Sequence, residues 1–166
     1  MPSSPAPPSN ESARVSGLPQ VTIYIAASAP IQTGIEVERS GWAAYGRSGE
    51  HHKLLDVGAD PAGGTPARMY LLALATALTR LKRPCSVTVG CSDSNIVRDI
   101  NENLDNLRTG KFRKKKRNID LWRQVLDAER SGGHTLAKAL VPDASDPDAT
   151  TAQQHARAAR TDQTSP

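Results

Sequence analysis

The sequence predicts a mixed α/β domain whose elements run βββαβ–αα–βα. Three observations carry that reading. Val21-Thr22-Ile23-Tyr24-Ile25-Ala26-Ala27-Ser28 alternates Val and Ile with Thr and Tyr at period 2, the pattern of a strand. Two further strand-like runs follow it across short turns, which implies an antiparallel meander. The stretch after Thr65 then switches to helical period, with Leu71, Leu74, Leu78 and Leu81 in one stripe and Met69, Leu72, Ala73 and Ala77 widening it. A helix apolar over most of its circumference is buried on more than one side.

The totals agree with one domain. The chain has 166 residues and 37% apolar content, enough for a single core flanked by tails. Residues 1–18, rich in Pro, Ser and Ala, and residues 161–166 read as disordered tails around a domain over 19–160. No run of 18 or more apolar residues suggests a membrane span, and the N-terminus lacks an apolar signal region. Cys85 and Cys91 fall on one predicted strand, about 20 Å apart at roughly 3.3 Å per residue, too far for a disulfide. Both are expected as reduced thiols in a cytoplasmic protein. The net charge of +4 is a mild basic bias, so charge clustering carries more weight than the total.

In chain order, the first strand spans Gln20 to Ser28, punctuated by Pro19 and Pro30. Residues 34–37 are a connection or strand start. Gly41 to Gly46 is the second strand, with Trp42 and Ala44 on one face. Ser48-Gly49-Glu50 is a turn. His51 to Ala59 is the third strand, with Leu55 and Val57 inward. After a loop, Thr65 caps the core helix, Pro66 takes its first position and the helix runs to about Lys82. Pro84 breaks the chain before a fourth strand, Cys85 to Gly90. Asp93 opens a helix through about Leu107, and Thr109-Gly110 ends it. Lys111-Phe112-Arg113-Lys114-Lys115-Lys116-Arg117 follows, six positive charges in seven positions. Ile119 to about Ser131 is a helix, His134 to Val141 a fifth strand, Pro142 to Asp148 an acidic loop and Thr150 to Arg160 a final helix. Trp42 and Trp122 are expected in the core, and the four histidines at the surface or on strands.

Several short motifs fall in one order: Arg68-Met69 opening the core helix, Ser92-Asp93-Ser94 ending the fourth strand, Asp120-Leu121-Trp122 opening the helix after the basic segment, and Ala156-Arg157-Ala158-Ala159 in the last helix. Over roughly Leu18 to Arg160 the chain resembles the ribonuclease H type 1 family. The resemblance implies a ribonuclease H-like fold: a five-stranded mixed sheet, three antiparallel strands then parallel pairing, with helices on both faces. It also implies cleavage of the RNA strand of RNA–DNA hybrids by two Mg²⁺ ions held by four carboxylates, a two-metal clamp on the attacking and leaving oxygens.

Aligned on the flanking residues, the family's carboxylate positions fall on Ala26, Tyr70, Asp93 and Gln153, so only Asp93 keeps an acid. The loop histidine that assists turnover falls near Asp143. Ala26 offers no ligand atom, Tyr70 puts a bulky neutral phenol where a metal needs space, and Gln153 offers a carbonyl without charge. Asp93 alone supports at most one weakly held Mg²⁺, or it caps the helix that follows. Recruitment of Asp56, Asp60 or Asp143 is the route by which activity survives, and only then is Mg²⁺ a cofactor.

For binding, the basic segment Lys111, Arg113, Lys114, Lys115, Lys116 and Arg117 resembles the handle with which some family members grip hybrid backbones. Such charges give salt-sensitive, sequence-independent affinity, and Phe112 adds a stacking or apolar contact. The family's aromatic anchors in the preceding helix fall on Leu104 and Leu107. Thr65 stands where the family contacts a phosphate, or serves only as a helix cap. The two Asn that read the RNA strand fall on Pro66 and Ala67, and Asn95 falls near a hybrid-contacting Gln. The leading expectation is a catalytically inactive homologue that binds RNA–DNA hybrid or structured RNA. The alternatives are a protein-interaction module on the same fold and a divergent active nuclease.

Overall fold

A computed structural model describes residues 17–29, 39–60, 63–111 and 117–161. Five strands, β1 (Gln20–Ser28), β2 (Ser40–Ser48), β3 (His51–Asp60), β4 (Ser86–Gly90) and β5 (Thr135–Leu140), form one sheet in the order β3-β2-β1-β4-β5. The β1–β2 and β2–β3 pairs are antiparallel, and the β1–β4 and β4–β5 pairs are parallel. Among the described residues five helices accompany them: α1 (Pro66–Arg80), α2 (Ser94–Glu102), α3 (Leu104–Arg108), α4 (Ile119–Gly132) and α5 (Pro147–Thr161). Helices α1 and α4 pack together on one face, while α5 lies on β1, β2 and β3 from the other.

The alternation of β1 creates both layers. Ile23 and Ile25 point into the main core with Val87 and Val89 of β4, Leu71, Leu74 and Leu78 of α1, and Trp122 and Val125 of α4. Tyr24 and Ala26 point the other way and meet Ala43, Ala152 and Ala156. That second layer is built almost entirely of alanine, so α5 sits close to the sheet. At Gly41 the approach is closest: a Cβ there would collide with the Ala156 carbonyl and lie 2.7 Å from the Arg160 nitrogen.

Both tryptophans are buried, at 8% and 2% exposure for Trp42 and Trp122. Leu55 and Val57, expected on one face, lie on opposite faces. The β2–β3 register shifts between Ala44 and Tyr45, which pair with Asp56 and Leu54, so Leu55 is the extra residue of a bulge. Leu55 therefore packs against the main core and Val57 against the α5 layer.

The helix expected from Asp93 to Leu107 is two helices. Asn103 interrupts it, with φ −120° and ψ 8°, and its side-chain amide donates to Asp99 Oδ1 at 3.1 Å. Such local side-chain bonds compete with helix continuation. The interruption keeps Leu104 and Leu107 buried.

Helix α5 begins earlier than expected. Asp146 Oδ1 accepts from the backbone N–H of Asp148 at 2.9 Å and of Ala149 at 3.3 Å, and Pro147 takes the first helical position. This is the cap-then-proline arrangement also present at Thr65-Pro66.

His134, expected at the surface or on a strand, is buried immediately before β5. Its Nδ1 accepts from the Cys85 N–H at 3.1 Å, so Nε2 carries the proton and donates to the Leu78 carbonyl at 3.0 Å. It thereby ties the end of α1 to the starts of β4 and β5. The expected tail before residue 17, the connection at residues 34–37 and the tail from residue 162 lie outside the described residues.

Replacing Gly41 by Ala is expected to cost about 1–3 kcal/mol, because backbone on both sides of the contact must shift. Urea unfolding of the two proteins measures it, and an unchanged midpoint would contradict the close α5–β2 approach.

Candidate functional site

The parallel pairing of β1 and β4 sends their C-terminal ends the same way, toward the start of α1. Ala26, Tyr70, Asp93 and Gln153 belong to this end of the sheet and its flanking helices. Ala26 is 3% exposed, its methyl enclosed by Ala152 and Ala156. Next to Ala152 on α5, Gln153 donates from Nε2 to the Ala27 carbonyl at 2.9 Å. Tyr70 is half-buried against the main core and hydrogen-bonded to the Ser92 side chain. Burial raises its phenol pKa, Cys91 and Asp93 raise it further and the Ser92 bond opposes them, so Tyr70 is neutral at pH 7.

Asp93 is the N-cap of α2. Its Oδ1 accepts from the N–H of Asn95 at 2.9 Å and of Ile96 at 3.2 Å. Beside it, burial pushes the Cys91 thiol up to about 12, which leaves it protonated and unreactive at neutral pH. Cys85 and Cys91 are both free and buried.

Two divalent ions need several hard, mostly charged oxygen donors. These four positions supply one carboxylate with an oxygen already engaged, a neutral phenol, a carboxamide bound to main chain and a methyl group. That donor set does not fit a two-Mg²⁺ centre. The other acids are engaged elsewhere. Asp56 pairs with Arg80 at 2.8 Å, at the far end of α1 from Tyr70 and roughly 15 Å along the helix axis. Asp143 accepts from the Ser145 N–H and hydroxyl, both at 2.9 Å, which holds its pKa below the usual value. Asp60 acts electrostatically on Arg68. Among the described residues no group of three or more His, Cys, Asp or Glu is placed to share a metal ion.

The basic segment has firm ends. Lys111 N–H donates to the Asn106 carbonyl at 2.8 Å, closing the turn after α3. At the other end Asn118 adopts the left-handed conformation, φ 61°, which Asn tolerates better than most residues. Arg68 of α1 holds this corner by donating to Asn118 Oδ1 at 3.0 Å and to both oxygens of Asp120 at 3.2 and 2.8 Å. Lys111 and Arg117 are exposed. Phe112, Arg113, Lys114, Lys115 and Lys116 lie outside the described residues. Leu104 and Leu107 are buried, so they serve the core rather than a nucleic-acid surface.

Thr65 Oγ1 accepts from the Arg68 N–H at 3.2 Å as the cap of α1, which leaves its own hydroxyl proton available to an acceptor in solvent. Asn95 is exposed, with its Oδ1 taken by Arg98. Pattern reading did not foresee the Arg68–Asn118–Asp120 clamp, although Arg68 and Asp120 each stand in a recognised motif. Nor did it foresee a second polar group on the α5 face, where Asp148, 5% exposed, pairs with Arg47 at 2.9 Å and His52 at 2.8 Å.

No family model matches the chain. A protein named ribonuclease H from Verminephrobacter eiseniae is 34% identical over 100 residues, 58% of this chain and 63% of that protein. The match thus spans less than two thirds of that relative. Among solved structures, a type 1 ribonuclease H with the type 2 active-site motif superposes with a TM-score of 0.62 at 22% identity, covering 89% of this chain and 74% of that one. A foamy viral protease-reverse transcriptase in complex with RNA/DNA hybrid superposes with a TM-score of 0.61 at 16% identity, covering 86% of this chain and 20% of that one.

Two outcomes follow from this geometry. Asp93→Ala should lower stability by about 1 kcal/mol through loss of the cap, while Asp93→Asn should retain most of it. Equal urea midpoints for Asp93→Ala and the parent would contradict the capping role. Arg68 holds the Asp120 carboxyl below its ordinary pKa. A depressed folded-state pKa contributes stability above the unfolded value and loses it as pH falls through the folded one. Thermal unfolding between pH 7 and 3 should therefore fall more steeply for the parent than for Asp120→Asn below about pH 4; parallel curves would contradict the clamp.

Proposed function

We propose that this ribonuclease H-like chain binds nucleic acid, RNA–DNA hybrid or structured RNA, through Lys111 to Arg117, and does not cleave it. The replacement of the metal-ligand set carries the reading. Where two divalent ions would be held, Ala26 is enclosed by alanines, Tyr70 is a neutral phenol, Gln153 is bound to main chain and Asp93 caps a helix. A lone carboxylate does not offset the mutual repulsion of two divalent ions. The free, buried Cys85 and Cys91 suit a reducing, cytoplasmic setting.

Binding draws on three supports. Six charges in seven positions give a backbone-neutralising segment. Its two stems are anchored, so part of the ordering cost is already met. Thr65 and Asn95 lie at the N-termini of α1 and α2, with a hydroxyl proton and an amide group to donate to phosphate or sugar oxygens. Pro66 and Ala67 supply no amide for reading the minor-groove edge, so affinity rests on backbone and shape.

The divergent-nuclease reading has its own support in the names of the relatives, and one experiment separates the two. The full chain is titrated against labelled RNA–DNA hybrid, duplex DNA and duplex RNA with Mg²⁺ or Mn²⁺, following mobility and strand integrity together. The expected result is a shifted hybrid or RNA with intact strands. The salt slope should fall by about three when Lys114, Lys115 and Lys116 are changed to Gln. RNA-strand cleavage that Asp93→Asn abolishes would overturn the non-cleaving reading. Retention of none of the three duplexes would turn the role toward a protein partner.

A further inference from the structure

His134 is 6% exposed, and nothing in nucleic-acid binding calls on it. Both of its ring nitrogens are committed. Nδ1 accepts from the Cys85 N–H at 3.1 Å, and Nε2 donates to the Leu78 carbonyl at 3.0 Å. That pair of bonds needs one bare nitrogen and one protonated nitrogen, so only the neutral ring makes it. An imidazolium carries a proton on each nitrogen and accepts at neither. Turning the ring over brings no relief, since either orientation sets an N–H against the Cys85 N–H. Nor is there space on the other side of the ring: a Cβ on Gly132 would collide with Nε2, so the imidazole lies directly on that backbone.

The ring holds a junction of several elements. Leu78 lies in the last turn of α1. Cys85 stands just before β4, and its carbonyl accepts from the Thr135 N–H of β5 at 2.9 Å. The main-chain N–H of His134 donates to the Glu129 carbonyl of α4 at 2.9 Å. The charged and titratable groups on these elements offer no other partner for a proton gained at Nδ1. On α1, Arg80 pairs with Asp56. Lys82 and Arg83 of the following turn and Lys138 of β5 are exposed cations. The Cys85 thiol donates to the Arg83 carbonyl at 3.2 Å, and burial raises its pKa against the opposing effect of Arg83, so it is uncharged at pH 7. On α4, Glu129 is bound by Arg108 and by the Leu136 N–H, and Arg130 pairs with Asp127. Each carboxylate here is already paired.

We propose that His134 is an acid-operated latch: protonation of its imidazole breaks the bond to Cys85 and releases the start of β4 from the end of α1. The contacts among Ile23, Val87, Leu71 and Leu74 in the main core carry no titrating group, so the opening is local to this junction. The latch is independent of nucleic-acid binding.

The test is thiol labelling of the full chain with dithiodipyridine between pH 7 and pH 5. Mass spectrometry identifies the labelled cysteine, and each rate is divided by that of N-acetylcysteine at the same pH. The Cys85 ratio should rise about tenfold as the pH falls, an opening linked to one proton giving up to tenfold per pH unit. Cys91, fully buried beyond the other end of β4, should keep its ratio. His134→Gln retains a donor and an acceptor without a titrating group, so its Cys85 ratio should stay flat. If that variant does not fold, the imidazole nitrogen signals of the parent decide by NMR: His134 must pass from the neutral to the doubly protonated form over the pH range in which the Cys85 ratio rises. A Cys85 ratio that does not change with pH would overturn the proposal. So would a parent-like slope in His134→Gln, a Cys91 ratio that rises in step with that of Cys85, or an imidazole that stays neutral while Cys85 becomes reactive.

Discussion

The contact of α5 with β1 and β2 is made through alanine and glycine, and much of the molecule follows from how short it is. Ala26, Ala43, Ala152 and Ala156 fill this layer with Tyr24, so dispersion contacts here run largely between backbones and methyl groups. Gly41 is required where the helix backbone comes nearest. The start of α5 is then fixed by polar groups: Asp146 caps it and accepts from Tyr24 at 3.1 Å, and Asp148 engages Arg47 and His52. A helix seated this closely brings Gln153 to the backbone of Ala27. The same contact encloses the position where the resemblance places a carboxylate.

This gives the altered positions a common physical sense. Carboxylates gathered around metal ions repel one another without the metal and cost desolvation when buried. Here each position is neutral or locally satisfied: a methyl group in an apolar layer, a phenol bonded to Ser92, an amide on a carbonyl and an aspartate on two N–H groups. The end of the sheet is therefore stable without ions. The densest run of positive charge in the sequence instead follows α3, and Arg68 holds Asn118 and Asp120, the residues just after that run.

Polar bonds outside the regular elements do comparable work. Glu129, 6% exposed, accepts from Arg108 at 2.6 Å and from the Leu136 N–H, joining α3, α4 and β5 around one buried carboxylate. His134 joins α1, β4 and β5 as a neutral imidazole. Burying such groups is tolerable because each finds its partners.

Read alone, the sequence determined the order of the strands and, but for the break at Asn103, of the helices, the meander, the wide core helix, the caps at Thr65 and Asp93, and the absence of acids at three of the positions the resemblance singles out. These are local or periodic properties: strand and helix periods differ, capping residues sit next to the helices they start, and a missing carboxylate is missing in any fold. The tertiary structure alone decided that Leu55 is a bulge residue, that His134 is a buried link, that Arg68 clamps Asn118 and Asp120, and that Glu129 and Asn101 bind the main chain of β5. Each of these joins residues far apart in the chain, such as Arg68 and Asp120 or Asn101 and Ala139. No periodicity encodes such a pairing, because it exists only once packing has chosen which faces and ends meet.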